Sequence, residues 1–163
     1  MSEERAIAAV EATGIRYEVT RHGRVSSLAE AAELRGVEPR QIVKTLVVRR
    51  ADDDFVLVLV PGDRTFSWPK LRALLGTSRL SMPDPAGALA ATGYERGTIT
   101  PFGSTTAWPV VVDASITGRI SLGGGAHGVA ITAETHDVVR VLDAQVADIS
   151  EADSVSPPDR PRA

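Results

Sequence analysis

The chain has 163 residues, 43% hydrophobic and 24% charged, which suits one globular domain with a sizeable core. It contains no cysteine, which excludes disulfides, thiolate nucleophiles and Cys-ligated metal sites. A net charge of −3 argues against nonspecific nucleic-acid binding but leaves room for a small local site that reads one end of an RNA.

The opening segment MSEERAIAAVEATG is acidic and lacks the long apolar run of a secretory signal. Residues 3 to 13 predict a helix with Ile7 and Val10 on one face and Gly14 as its stop. Tyr17 to Thr20 is a short strand candidate. In SSLAEAAELRG, Ser26 or Ser27 caps a helix that turns Leu28, Ala31 and Ala32 inward and ends at Gly36. Two strands follow, Ile42 to Arg49 and Phe55 to Val60, joined through ADDD as a hairpin. The longest apolar run, FVLVLVP, has the length of a strand and not of a membrane span, so a cytoplasmic location is the default expectation.

Ser67 caps a short helix with Pro69 near its start and Gly76 at its end. Arg79 to Met82 reads as a strand, and DPAGALAATG as a helix ending at Gly93. GTITPFG, residues 97 to 103, is a loop. Pro109 to Asp113, Arg119 to Leu122 and Val129 to Thr132 read as strands, Glu134 to Leu142 as a helix and Gln145 to Ile149 as a last strand. From Ser150 onward the chain is polar and proline-rich, which predicts a domain over residues 1–150 and a disordered tail over 151–163. Hairpins mixed with helices imply an α+β fold: a mixed sheet with helices packed outside.

Within IVKTLVV, side chains alternate, so Lys44 shares a face with Ile42, Leu46 and Val48. Burying an ammonium there costs several kcal/mol unless it is paired or reaches water. Either the strand lies at a sheet edge, where lysine deters edge-to-edge pairing, or the lysine stands at the mouth of a pocket. Lysine is scarce: Lys44 and Lys70 are the only two among 18 basic residues.

GGGAHG, residues 123 to 128, matches the spacing of a dinucleotide-binding loop, but VAIT follows it as a strand where that site needs a helix N-terminus. It is therefore a hairpin loop. His22, His127 and His136 lack metal-ligand spacing. Of the three, His127 sits where a glycine-rich loop could carry it to a ligand, although a solvated loop histidine is the competing reading. GTITPFG is either a plain turn or a set of exposed N–H groups for a carbonyl oxygen or oxyanion.

Taken in order, GIRYEVTRH, QIVKTLVV, GYERGTITPFG with WPVVVDASI, ISLGGGAHGVAI and VLDAQVADIS span nearly the whole chain. This pattern resembles the YbaK/EbsC family, the editing-domain relatives associated with prolyl-tRNA synthetase. The resemblance implies a curved, barrel-like mixed sheet with helices outside and a free-standing hydrolase that deacylates mischarged tRNA. The substrate would be a small amino acid on the tRNA for proline or a related tRNA.

On that resemblance, Lys44 is the lysine needed for deacylation, and Gly97 or Thr98 is the backbone donor to the substrate carbonyl. His127 falls at the loop histidine of the alanine-specific branch. Tyr17 matches an aromatic position lining the pocket, and Thr45, Thr100, Pro101, Gly124 and Gly125 are expected to contact substrate. The implied partners are the acceptor end of aminoacyl-tRNA and prolyl-tRNA synthetase, with no DNA, membrane, metal or organic cofactor. A noncatalytic aminoacyl- or nucleotide-binding module and a hydrolase of another small acyl ester are the alternatives.

Overall fold

The alternating apolar runs build two main sheets that meet at one bridge. The structure is a computed structural model and describes residues 2–152. Strands β1 (Glu18–Arg21), β6 (Arg119–Gly123) and β7 (Val129–Glu134) form an antiparallel sheet in the order β1-β7-β6. Strands β2 (Val43–Ala51), β3 (Asp54–Pro61), β5 (Val110–Asp113) and β8 (Gln145–Ala147) form the other, in the order β2-β3-β5-β8. Its first pair is the expected antiparallel hairpin, whereas β3-β5 and β5-β8 run parallel. An isolated parallel bridge from Ile42 to Ser121 joins the two sheets. The architecture is the expected α+β, with curved sheets that meet at this bridge and do not close into a barrel.

The run FVLVLVP is apolar throughout because β3 is covered on both sides. Leu57 and Leu59 face a core shared with Val43, Val47, Tyr94 and Ile131. Val56, Val58 and Val60 face a second core with Leu71 and Ile149. Among the described residues five α-helices pack outside, and their caps follow the sequence punctuation. In α2 (Leu28–Arg35), Ser27 accepts from Glu30 N–H and Gly36 closes the end in a left-handed conformation. Ser67 and Asp84 cap α3 (Trp68–Leu75) and α4 (Pro85–Thr92) in the same way. Helices α1 (Ser2–Thr13) and α5 (Thr135–Leu142) complete the set.

Two short segments differ from expectation. Arg79 to Met82 forms no strand; it reaches β2 only through a bridge between Ser81 and Arg49. Residues at the start of the expected tail form β9 (Ser150–Ala152), which pairs with β4 (Arg64–Phe66). Three-residue strands lack the length for a visible alternation. Residues 153–163 of the expected tail lie outside the described residues.

Asp113 ties the segment after β8 to the sheet. It is 1% exposed, and one carboxylate oxygen accepts the Ile149 N–H at 3.0 Å while the other accepts from Ser115. Burial alone would push its pKa up, but hydrogen bonds from Ser115, Ile149 and Ser150 outweigh it and hold the pKa below the usual aspartate value. A depressed folded-state pKa gives stability that is full above about pH 4 and lost as pH falls through the lower folded value. Thermal melts from pH 6 down to pH 2 are expected to show this acid-side loss, and Asp113→Asn to lack most of it while melting lower at neutral pH.

Candidate active site

The strand face that carries Lys44 is covered at both ends and open in the middle. Ile42 packs with Ala31 and Ala32 beneath α2, while Leu46 and Val48 pack with Leu71 of α3. Lys44 lies half-buried between these clusters, at a cavity of about 370 Å³. Strand β2 is also the edge of its sheet, so Lys44 stands at an edge and at a cavity together. Lys70 pairs with Asp148 at 3.1 Å, whereas among the described residues no carboxylate pairs with Lys44.

Opposite β2, the cavity is walled by Met82, Pro83, Pro85 and Ala88 at the start of α4. Its remaining wall comes from Arg96, Gly97, Ile99, Gly123 and Arg35. Thr45 also lines it; this residue is 8% exposed, and its hydroxyl has no hydrogen-bond partner among the described residues.

Gly97 occupies the third position of a β-turn in which Thr98 N–H donates to Glu95 O at 2.9 Å. Its φ of +90° is the left-handed value of a type II turn, which a side chain would strain. Of the two expected donors, Thr98 N–H is thus already engaged, and its hydroxyl also donates to Glu95 O, at 2.7 Å. Gly97 N–H has no protein acceptor among the described residues and belongs to a residue lining the cavity. Of the two expected donors, it is the one left without a protein acceptor.

Of the rest of GTITPFG, Ile99 lines the cavity, while the residues from Thr100 to Gly103 do not. Thr100 and Pro101 are buried, and the Thr100 hydroxyl accepts from Phe102 N–H at 3.4 Å. Tyr94 OH donates to Phe102 O at 2.6 Å, and Arg5 Nε donates to Gly103 O at 2.7 Å. Thr100 and Pro101, expected to contact substrate, are therefore not among the residues that line the cavity. Gly124 and Gly125 also stand outside the cavity wall: Gly124 N–H donates to Val129 O, and Gly125 N–H donates to Thr98 O at 3.1 Å. The neighbouring Gly123 is the loop glycine that lines the cavity.

Tyr17 is placed elsewhere. It lines a separate concavity with Ile15, Arg119 and Thr132, and its hydroxyl donates to Glu11. That bond, with smaller contributions from burial and the Glu11 charge, raises the phenol pKa above its usual value. His127 stands at the rim. Its imidazole lies 3.5 Å from where a Cβ on Gly97 would project, and its Nε2 is 3.7 Å from Glu95 Oε2, with both side chains exposed.

Arg35 and Arg96 were not singled out in the sequence. Arg96 could have been, because it immediately precedes the turn glycine. Arg35 looks like an ordinary C-terminal helix residue until the fold swings it over β2. Together with Lys44 they give the cavity three cationic side chains and no carboxylate. Among the described residues no three acidic, histidine or cysteine side chains converge to hold a metal ion.

This arrangement sits in a chain whose residues 22–141 match the aminoacyl-tRNA editing domain, and the chain belongs to that family. A solved structure described as a trans-editing enzyme for prolyl tRNA synthetase superposes with a TM-score of 0.83 at 27% identity, covering 93% of this chain and 98% of that one. The chain is similar to EbsC of Enterococcus faecalis, named as a Cys-tRNA(Pro)/Cys-tRNA(Cys) deacylase, with 27% identity over 76% of this chain and 77% of the relative. It is also 37% identical over 92 residues to the proline–tRNA ligase of Thermosipho melanesiensis, which is 56% of this chain and only 16% of the ligase. The chain thus spans about a sixth of the length of that ligase.

The turn geometry separates Gly97 from Thr98. Gly97→Ala forces a Cβ into a φ that costs roughly 1–2 kcal/mol, and it is expected to lower the melting temperature and weaken ligand binding at the cavity. Thr98→Ala keeps its engaged N–H and loses only the hydroxyl bond to Glu95, so calorimetry should show a smaller drop and an unchanged cavity.

Proposed function

We propose that this protein is a free-standing deacylase of mischarged tRNA, with Lys44 and Gly97 as the groups that act on the aminoacyl ester. The observation that carries the reading is the unpaired lysine facing a cavity of an editing-domain fold, beside a turn N–H that has no protein acceptor. In this reading the ester carbonyl oxygen accepts from Gly97 N–H, which strengthens as negative charge develops on that oxygen. Lys44 holds the substrate by a charge-assisted contact and orients it toward water. The water oxygen adds to the carbonyl carbon, the ester C–O bond breaks, and the proton goes to the departing ribose oxygen. The products are a free amino acid and uncharged tRNA.

The apolar walls contributed by Ile99, Ala88 and Pro85 suit a small side chain, and the unpartnered Thr45 hydroxyl offers one polar contact to it. A second pocket that admits small wrong amino acids is the logic of editing. Related domains lie within proline–tRNA ligases, so the tRNA for proline is the first substrate to try and prolyl-tRNA synthetase the partner this reading implies. Its location would be the cytoplasm; among the described residues no helix is long and apolar enough to cross a membrane.

The test pairs a melting curve with single-turnover deacylation of alanyl- and cysteinyl-tRNA for proline. Lys44→Ala removes a half-buried, unpaired charge, so the melting temperature is expected to hold or rise. Its deacylation rate is expected to fall by about a hundredfold or more. Lys44→Arg should also be slow, because a planar fork does not replace a compact ammonium. A Lys44→Ala protein that melts normally and deacylates at the wild-type rate would sink the assignment. Wild-type protein that binds these tRNAs without hydrolysing them would instead mark a binding module.

A further inference from the structure

Arg35 ends α2 at the wall of the Lys44 cavity. Its guanidinium is half-buried, and two neutral groups fix it. Nε donates to His22 Nε2 at 3.2 Å, and Nη1 donates to Ser121 Oγ at 3.4 Å. Arginine only donates, so His22 Nε2 is unprotonated and the imidazole proton is on Nδ1, which donates to Gly23 O at 2.8 Å. Ser121 is fully buried and lies at the bridge to Ile42, so this anchor is part of the sheet junction itself.

Arg21, Arg40, Arg49, Arg50, Arg119 and Arg140 all pair with carboxylates. Among the described residues none reaches Arg35, whose pKa is drawn down by burial alone. A guanidinium that is partly desolvated, locked in one orientation and lacking a counter-ion favours a ligand that brings the missing negative charge. The two bonds to His22 and Ser121 use two of its five N–H groups and leave three.

The ligand follows from the chemistry of the proposed substrate, and to that extent the inference rests on the deacylase reading. In an aminoacyl-tRNA the ester is neutral and the amino group is cationic, so the anionic groups near the reacting carbon are phosphodiesters. We propose that Arg35, oriented by His22 and Ser121, binds the phosphodiester that precedes the terminal adenosine of the acceptor strand. Arg35 is then a substrate-binding residue, and His22 is a positioning residue that acts through it.

Binding of the unacylated trinucleotide CCA, with either its natural last phosphodiester or a neutral methylphosphonate there, tests this without requiring hydrolysis. Wild-type protein is expected to bind the natural form about tenfold more tightly, as suits one charge-assisted contact. Arg35→Ala should bind both forms alike, at about the affinity wild type shows for the neutral one. Should Arg35→Ala fold poorly, Arg35→Gln carries the same expectation. His22→Ala should lose part of the preference, and His22→Gln, which keeps an acceptor, should recover it. Adding His22→Ala to Arg35→Ala should change nothing more. Wild-type protein that binds the two trinucleotides alike, or neither, overturns the proposal, as does an Arg35→Ala protein that keeps the preference. If the trinucleotide preference holds while no mischarged tRNA is hydrolysed, the deacylase reading fails and the Arg35 site stands.

Discussion

The bridge from Ile42 to Ser121 sets the shape of everything around it. Among the described residues it is the one ladder-type bridge between the start of β2 and β6, which lie in different sheets. A β-strand edge left unpaired is exposed to solvent or to another chain. Here the gap between the two strands is lined by the segment from Gly97 to Ile99, whose backbone comes so close to Gly123 that a Cβ there would lie 2.8 Å from Ile99 O. The space that remains between β2, this segment and the start of α4 is the cavity. Lys44 is placed in it by the two-residue period of the strand, two positions along from the bridge residue.

Charge at the cavity follows a different rule from charge on the rest of the molecule. The chain carries a net −3, and six arginines, Arg21, Arg40, Arg49, Arg50, Arg119 and Arg140, have carboxylate partners. Exposed pairs of that kind contribute little, about 0–1 kcal/mol each. Lys44, Arg35 and Arg96 gather around the cavity with no acidic residue in its lining. Like charges gathered in this way contribute nothing favourable to one another, and Lys44 and Arg35 are in addition half-buried. Such a local positive field within an acidic protein draws in one end of an anionic polymer without holding its whole length.

Most of the architecture was legible because its signals are local. Ser27, Ser67 and Asp84 each accept the N–H expected of a cap, and Gly36, Gly76 and Gly93 each close a helix with a left-handed turn. The lysine in an apolar strand was legible because its cost is local too. What escaped was anything defined by distance across the fold. Strands β4 and β9 are three residues each and exist only because they pair with one another. Tyr17 looked like a pocket aromatic, but β1 lies on the far side of β7 from β6, and its side chain packs toward the main core. Thr98 and Gly97 were indistinguishable as donors until the turn at Glu95 consumed one of the two N–H groups. Arg35 had no sequence signal at all, since its orientation depends on a serine 86 positions away.

The loop GGGAHG shows how a motif can be functional in location without performing the chemistry its spacing suggests. Its glycines answer to packing: a Cβ on Gly125 would lie 2.7 Å from Ser2 O, and one on Gly128 would lie 2.4 Å from His22 O. Backbone approach of that kind leaves no cradle for a phosphate. Two backbone bonds extend from the loop to residues that neighbour or hold groups of the cavity lining. Gly125 N–H donates to Thr98 O, beside the Gly97 turn, and Gly128 O accepts from His22 N–H, beside the acceptor of Arg35. One rigid loop therefore braces the turn that presents the Gly97 N–H and the histidine that aims Arg35. A substitution that opens this loop would disturb both supports together, although none of its last five residues lines the cavity.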